Sequence, residues 1–190
     1  SAWLHIVLKV DTTQSTAADR VQVYVNGTII TWSSATYPSQ NYDTGVNSAN
    51  PHGIGIRISG TALPFAGYLA DVQFIDGVSG LTASDFGEFS DNNVWQAKNY
   101  SGSYGTNGFH LDFSDNSSAS ALGTDSSGNS NTWTPNNLSV AAGVGNDSLI
   151  DTPTNITADS GNNPGNYCTW NPLKQTSGTY TEGNLQIATS

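Results

Sequence analysis

Basic residues are scarce here: five Lys and Arg stand against fifteen Asp and Glu in 190 residues, for a formal charge of -10. A surface that acidic repels a phosphate backbone, so nucleic acid is not expected as a partner. Cysteine is almost missing. With Cys168 alone no internal disulfide can close, and stability has to come from burial, hydrogen bonding, assembly or metal. No basic residue flanks Cys168 to lower its thiol pKa, so it reads as a small apolar residue rather than a reactive one. Long apolar runs are absent too. None approaches the roughly 18 residues that cross a bilayer, and the opening Ser1-Ala2-Trp3-Leu4-His5 has no basic n-region of a signal peptide. No membrane insertion is expected.

What is abundant is Asn, Ser, Thr and Gly, residues that favour turns and strand edges over helix interiors. The chain therefore reads as all-β and loop-rich. Leu4, Ile6, Leu8 and Val10 alternate with Trp3, His5, Val7 and Lys9, the period of a strand with one buried face. Val21, Val23 and Val25 repeat the pattern, and Asn26-Gly27 then supplies the positive-φ pair of a tight hairpin into Thr28-Ile29-Ile30. Further strands are expected around Ile54 to Ile58, Tyr68 to Ile75 and Gly108 to Phe113, and shorter ones in Asn131 to Val140 and Asn184 to Ala188. The expected core of the first ninety residues is Leu4, Ile6, Val21, Val23, Ile54, Ile56 and Val72. Thr82 with Asp85 three residues later has the form of a helix cap before Phe86 and Phe89. Ser114 to Ser130 and Gly143 to Gly165 are long Asx/Ser/Gly loops. Loops of that length are functional or tied down.

Several motifs carry a resemblance. Trp3-x-His5-Ile6-Val7, Val23-Tyr24-Val25-Asn26-Gly27, Ile54-Gly55-Ile56 and Phe65-Ala66-Gly67-Tyr68-Leu69-Ala70-Asp71-Val72 resemble the C-terminal half of laminin-G-like, concanavalin A-like lectin domains. Tyr104 to Phe113, Leu122 to Asn129, Asp151 to Asn155 and Trp170 to Leu173 look like a segment that follows such domains in bacteriophage structural proteins of the marine-phage type. Gly183-Asn184-Leu185-Gln186-Ile187 is similar to the opening strand of a SPRY-like domain. The resemblance implies an antiparallel β-sandwich, a concanavalin A-like jelly roll that is incomplete, followed by a loop-rich extension. It divides the chain into the half-sandwich at 1–96, the extension at 97–175 and a possible first strand of a further sandwich at 176–190. In such domains the Trp-His-Ile strand lies mid-sequence and the SPRY-like strand opens a further domain, so on this resemblance both ends are expected to be cut from a longer protein. The implied role is non-catalytic and lies on the virion or outside the cell, in a phage tail, fibre or capsid surface. The alternative is a subunit of a bacterial cell-surface adhesin or extracellular filament. Partners on this reading are other virion or surface subunits in a homo-oligomeric assembly, and a cell-surface glycan.

Two loop regions hold the candidate site residues. Trp32, Tyr37 and Tyr42 sit among Ser33, Ser34, Asn41, Asp43 and Asn47, which is the chemistry that stacks on a sugar face and fixes its hydroxyls. Amphipathic aromatics serve protein interfaces and local packing equally well, so all three uses stay open. Trp3, Trp95, Trp133 and Trp170 read as packing anchors. Asp112, Asp115, Asn116, Asp125 and Asn129 offer the oxygen ligands that calcium takes from flexible loops, although Asx residues make turns with their own backbone for no metal at all. His5, His52 and His110 lack zinc spacing, and His5 and His110 alternate with core positions on strands. The Asn-x-Ser/Thr sequons at Asn26, Asn99, Asn116, Asn137, Asn146 and Asn155 are what so Asn- and Ser-rich a composition generates by chance.

A glucanase on this fold would need carboxylates paired about 5 to 5.5 Å apart for retention. Glu88 and Glu182 are the only glutamates and lie far apart in the sequence. Incubation of the chain with laminarin and related glucans should therefore release no reducing sugar. Turnover that is abolished by Glu88→Gln would contradict this.

Overall fold

A computed structural model of the chain describes residues 3–58, 63–141 and 146–148, together with the backbone of Thr179–Thr181 and Gln186–Ala188. Cys168, Trp170, the motifs at 151–155 and 170–173, most of the loop at 143–165 and the start of the strand at Asn184 lie outside those residues. The chain is all-β, with antiparallel sheets and, among the described residues, only three-residue helical turns.

Contacts divide the chain into two units, one drawn from Ser1–Pro51 and Ile75–Gly105, the other from His52–Phe74 and Thr106–Ser190. The first unit holds a three-stranded sheet, β1 (Ile6–Val10), β2 (Val21–Val25) and β3 (Thr28–Ile29), in that order. Its β2–β3 turn is built by Asn26 at φ 47 and Gly27 at φ 77, the double positive-φ pair of a two-residue hairpin. The second unit opens with β4 (Ile56–Arg57), β5 (Leu63–Pro64) and β6 (Val72–Phe74). Back in the first unit, β7 (Gly87–Phe89) pairs with β8 (Trp95–Ala97), a hairpin that low apolar content conceals in the sequence. β9 (Phe109–Leu111) pairs with β6, and β10 (Thr179–Thr181) with β11 (Gln186–Ala188). The cap at Thr82 is present: the Asp85 carboxylate accepts the Thr82 amide at 2.7 Å before one 3-10 turn, Ala83–Asp85. Asn131 to Val140 forms no strand.

In the first unit Trp95 ties the hairpin to the sheet. Its indole N–H donates to His5 Nδ1 at 2.9 Å, which fixes His5 as the Nε2–H tautomer, and the two rings stack. The Phe89 ring meets Trp95 edge-on at 5.0 Å. Gly27 and Gly87 both lie so close to the indole that neither has room for a Cβ. Trp95 and Trp133 thus pack as expected, whereas Trp3 is exposed.

Burial on β1 departs from expectation. Leu4, Ile6 and Leu8 are exposed, Ile56 is exposed, and Val21, Val23, Ile54 and Val72 are only half-buried. The reason lies in which face receives packing: His5, on the opposite face of the strand, stacks on Trp95, and among the described residues nothing covers the face of Leu4, Ile6 and Leu8. Among the described residues the buried apolar ones are Ala83, Phe109, Leu111 and Leu122. In the second unit Phe109 stacks with Phe74 at 5.7 Å and meets Trp133 at 4.9 Å.

Because Trp95 combines ring packing with a hydrogen bond at a half-buried site, Trp95→Ala should cost about 2–3 kcal/mol, below the range for fully buried Trp. Gly87→Val should also destabilise, by displacing the indole. Urea unfolding followed by circular dichroism checks both, and a Trp95→Ala chain as stable as the parent would contradict the role assigned to it.

Candidate functional site

The loop from Trp32 to Asn47 is anchored at its centre. Arg20, at the threshold of β2, spends its guanidinium on three carbonyls: Nε donates to Gln14 at 2.9 Å, Nη2 to Ser15 at 2.9 Å and Nη1 to Pro38 at 2.8 Å. Beside it the Asn41 amide donates to Thr12 O at 2.8 Å, and Gln40 Nε2 donates to Thr13 O at 3.0 Å. The 11–14 turn on the other side is itself held by Asp11, whose carboxylate accepts from the Thr13 hydroxyl at 2.7 Å and from Gln14 Nε2 at 2.6 Å. The Thr13 and then the Gln14 hydrogen bond keep the Asp11 carboxyl below the ordinary carboxylate value. Farther on, Asn47 Nδ2 donates to Asp76 Oδ1 at 2.7 Å. Asn41 and Asn47 both sit in the left-handed region, at φ 58, which asparagine tolerates better than other side chains with a Cβ.

On this frame Trp32 is 50% and Tyr42 56% exposed, and Asn41, Asp43 and Asn47 are exposed with them. Tyr37, next to the Arg20-bound Pro38, is half-buried. Half-exposed indole and phenol rings between amide and carboxylate groups can stack on an apolar face while their neighbours accept or donate hydrogen bonds. The anchoring residues Arg20, Asp11 and Gln40 were not singled out from the sequence. The scarcity of basic residues could have pointed to Arg20, since a rare guanidinium beside a polar loop is the donor set best able to gather carbonyls.

In the acidic loop of the second unit the carboxylates accept backbone amides and a hydroxyl. Asp125, buried, accepts the amides of His110 at 2.8 Å and Ser127 at 2.9 Å on Oδ1. Its Oδ2 accepts the Asn131 amide at 2.8 Å and the Ser127 hydroxyl at 2.9 Å. Asn129 and Asn131 side chains both donate to Gly108 O at 2.9 Å. Asp112 accepts the Ser114 amide and Asp115 the Ser117 amide, each at 3.0 Å, and Asn116, inside the second of these turns, is half-buried. No group of three or more His, Cys, Asp or Glu suited to a metal is present among the described residues. Burial pushes the Asp125 carboxyl up, but the amides of His110, Ser127 and Asn131 and the Ser127 hydroxyl outweigh it and hold the group below its ordinary value.

His110 pairs with Asp71 through Nε2 and Oδ1 at 2.5 Å, and Gln73 Nε2 holds the other Asp71 oxygen at 3.0 Å. The pair spans 39 residues and depends on the β6–β9 register, so it was illegible beforehand. Ser126 does not extend it toward a nucleophile triad, because its hydroxyl donates to the His110 carbonyl at 3.1 Å.

No family model matches the chain, and neither a curated protein nor a solved structure does. Among the described residues no helix is long and apolar enough to cross a membrane.

The Asp125 geometry carries a pH signature. A carboxyl whose folded pKa lies below its unfolded one stabilises fully above the unfolded value, about 3.9. That contribution shrinks as the pH falls below it and is lost once the folded carboxyl protonates. Asp125→Ala should cost about 2–3 kcal/mol at neutral pH by orphaning three amides, and Asp125→Asn should flatten the fall in melting temperature between pH 6 and pH 3. An Asn variant with the parent's full acid sensitivity would assign that sensitivity to other groups.

Proposed function

We propose that this chain is a non-catalytic structural and adhesive module of a virion surface, built on a laminin-G or concanavalin A-like sandwich, that presents the Trp32 to Asn47 loop to a host glycan or a neighbouring subunit. The observation that carries this reading is the exposure of Trp32 and Tyr42 on a loop whose centre is pinned by the Arg20 guanidinium at Pro38. A pinned loop loses little conformational entropy when it binds, so its rings offer contact area cheaply. The all-β, antiparallel architecture and the order of the lectin-like motifs support the sandwich. The scarcity of glutamate and the engagement of the second unit's carboxylates and hydroxyls in turns support a role without catalysis. The assignment to a virion rather than to a cell-surface filament rests on the phage-like motifs, and mass spectrometry of purified particles separates the two.

Replacing Trp32 and Tyr42 together by Ala should weaken adsorption to host cells or to a glycan array by about tenfold or more, the scale of a single hot-spot residue. Stability should stay within about 0.5 kcal/mol of the parent, as for other surface positions. Unchanged adsorption together with a large stability loss would return both rings to a packing role.

A further inference from the structure

Which backbone groups of β1 face outward follows from its ladder to β2. The Asn26 amide donates to the His5 carbonyl at 2.8 Å and the Asp11 amide to the Arg20 carbonyl at 2.9 Å. With Ile6 opposite Val25 and Val10 opposite Val21, the residues bonded to β2 are His5, Val7, Lys9 and Asp11. In an antiparallel ladder the residues between them turn N–H and C=O the other way. Ile6, Leu8 and Val10 therefore aim their backbone groups at the outer edge of β1, where no strand pairs among the described residues. The side chains of Ile6 and Leu8 are 61% and 60% exposed at the same place.

We propose that this edge pairs with the same edge of a second copy of the chain, antiparallel and with Leu8 on the two-fold axis. The strand matches itself in that register. Leu8 is the midpoint of Ile6–Val10 and is an outward-facing residue, so pairing Leu8 with Leu8 engages the whole strand, Ile6 with Val10 of the second copy and Val7 with its Lys9. Shifting the register by one residue would set inward-facing groups against the edge, and larger shifts shorten the overlap. Lys9, the one charge in β1, then lies opposite Val7 rather than another lysine, which avoids a directly opposed like-charge pair. Charge favours this edge for a further reason: β1 contains no acid in a chain of formal charge -10, so two copies meet here with little local repulsion. The result is an isologous contact that joins two three-stranded sheets into one of six and pairs both β1 edges. It rests on the ladder geometry and is independent of the glycan reading.

Sedimentation equilibrium of the full chain tests it, with Leu8→Pro as the variant, because proline removes the outward N–H on the axis and leaves the ladder to β2 intact. The parent should show a monomer–dimer equilibrium, and Leu8→Pro should raise its dissociation constant by about tenfold or more with an unchanged circular dichroism spectrum. Should that variant not fold, Leu8→Lys keeps the backbone and sets two like charges face to face, with the same result expected. A parent that is monomeric at every concentration, one that binds only a strand of a different polypeptide at β1, or a dimer that persists in the folded variants would each overturn the proposal.

Discussion

Loop backbone has no ladder to pair with, and a buried amide left without a partner costs about 1–3 kcal/mol. In this chain the partners are side chains. Asp125 gathers three amides and a hydroxyl, Arg20 gathers three carbonyls, and Asp11 closes a turn on itself. The long polar loops that look unsupported in the sequence are thereby given fixed shapes by side chains rather than by strand ladders. The loop bearing Trp32 and Tyr42 depends on this, since rings on an unpinned segment would have to be ordered by whatever they bind.

Such a scheme suits a chain with little to bury. Among the described residues the buried apolar set is Ala83, Phe109, Leu111 and Leu122, so the aromatic contacts made at half-buried positions carry much of the packing. Trp95 does this in the first unit by adding a hydrogen bond to ring contact, and Phe109 does it in the second between Phe74 and Trp133. On the pairing proposed above, the exposed apolar residues of β1 serve a contact with a second copy, since a continuous exposed apolar strip marks an interaction surface.

Local features were legible in the sequence and long-range ones were not. Asn26-Gly27 announced its hairpin because only positive φ at both positions closes that turn, and Thr82 with Asp85 announced its cap for an equally local reason. Period-two alternation located β1, β2 and β9 but misjudged the buried face of β1. Alternation states that two faces differ, and the packing of Trp95 on His5, ninety residues away, decides which is covered. The β7–β8 hairpin escaped because Gly87, Glu88, Gln96 and Ala97 carry no apolar alternation. At the site, the exposed aromatics could be picked out by residue type. The guanidinium and carboxylates that hold their frame could not, since their partners are backbone groups anonymous in sequence.

The central claim is that side-chain staples, not ladders, hold these loops in one shape, and amide hydrogen exchange on the full chain tests it most directly. The amides of Thr13, Asn41, Ser127 and Asn131, all in loops, should exchange well below the rate of unstructured peptide, because each donates to a side-chain oxygen or a carbonyl fixed beside one. Exchange of these four amides at the unstructured rate, alongside protection in β1 and β2, would show that the loops are not held and would remove the physical basis for a preformed recognition surface.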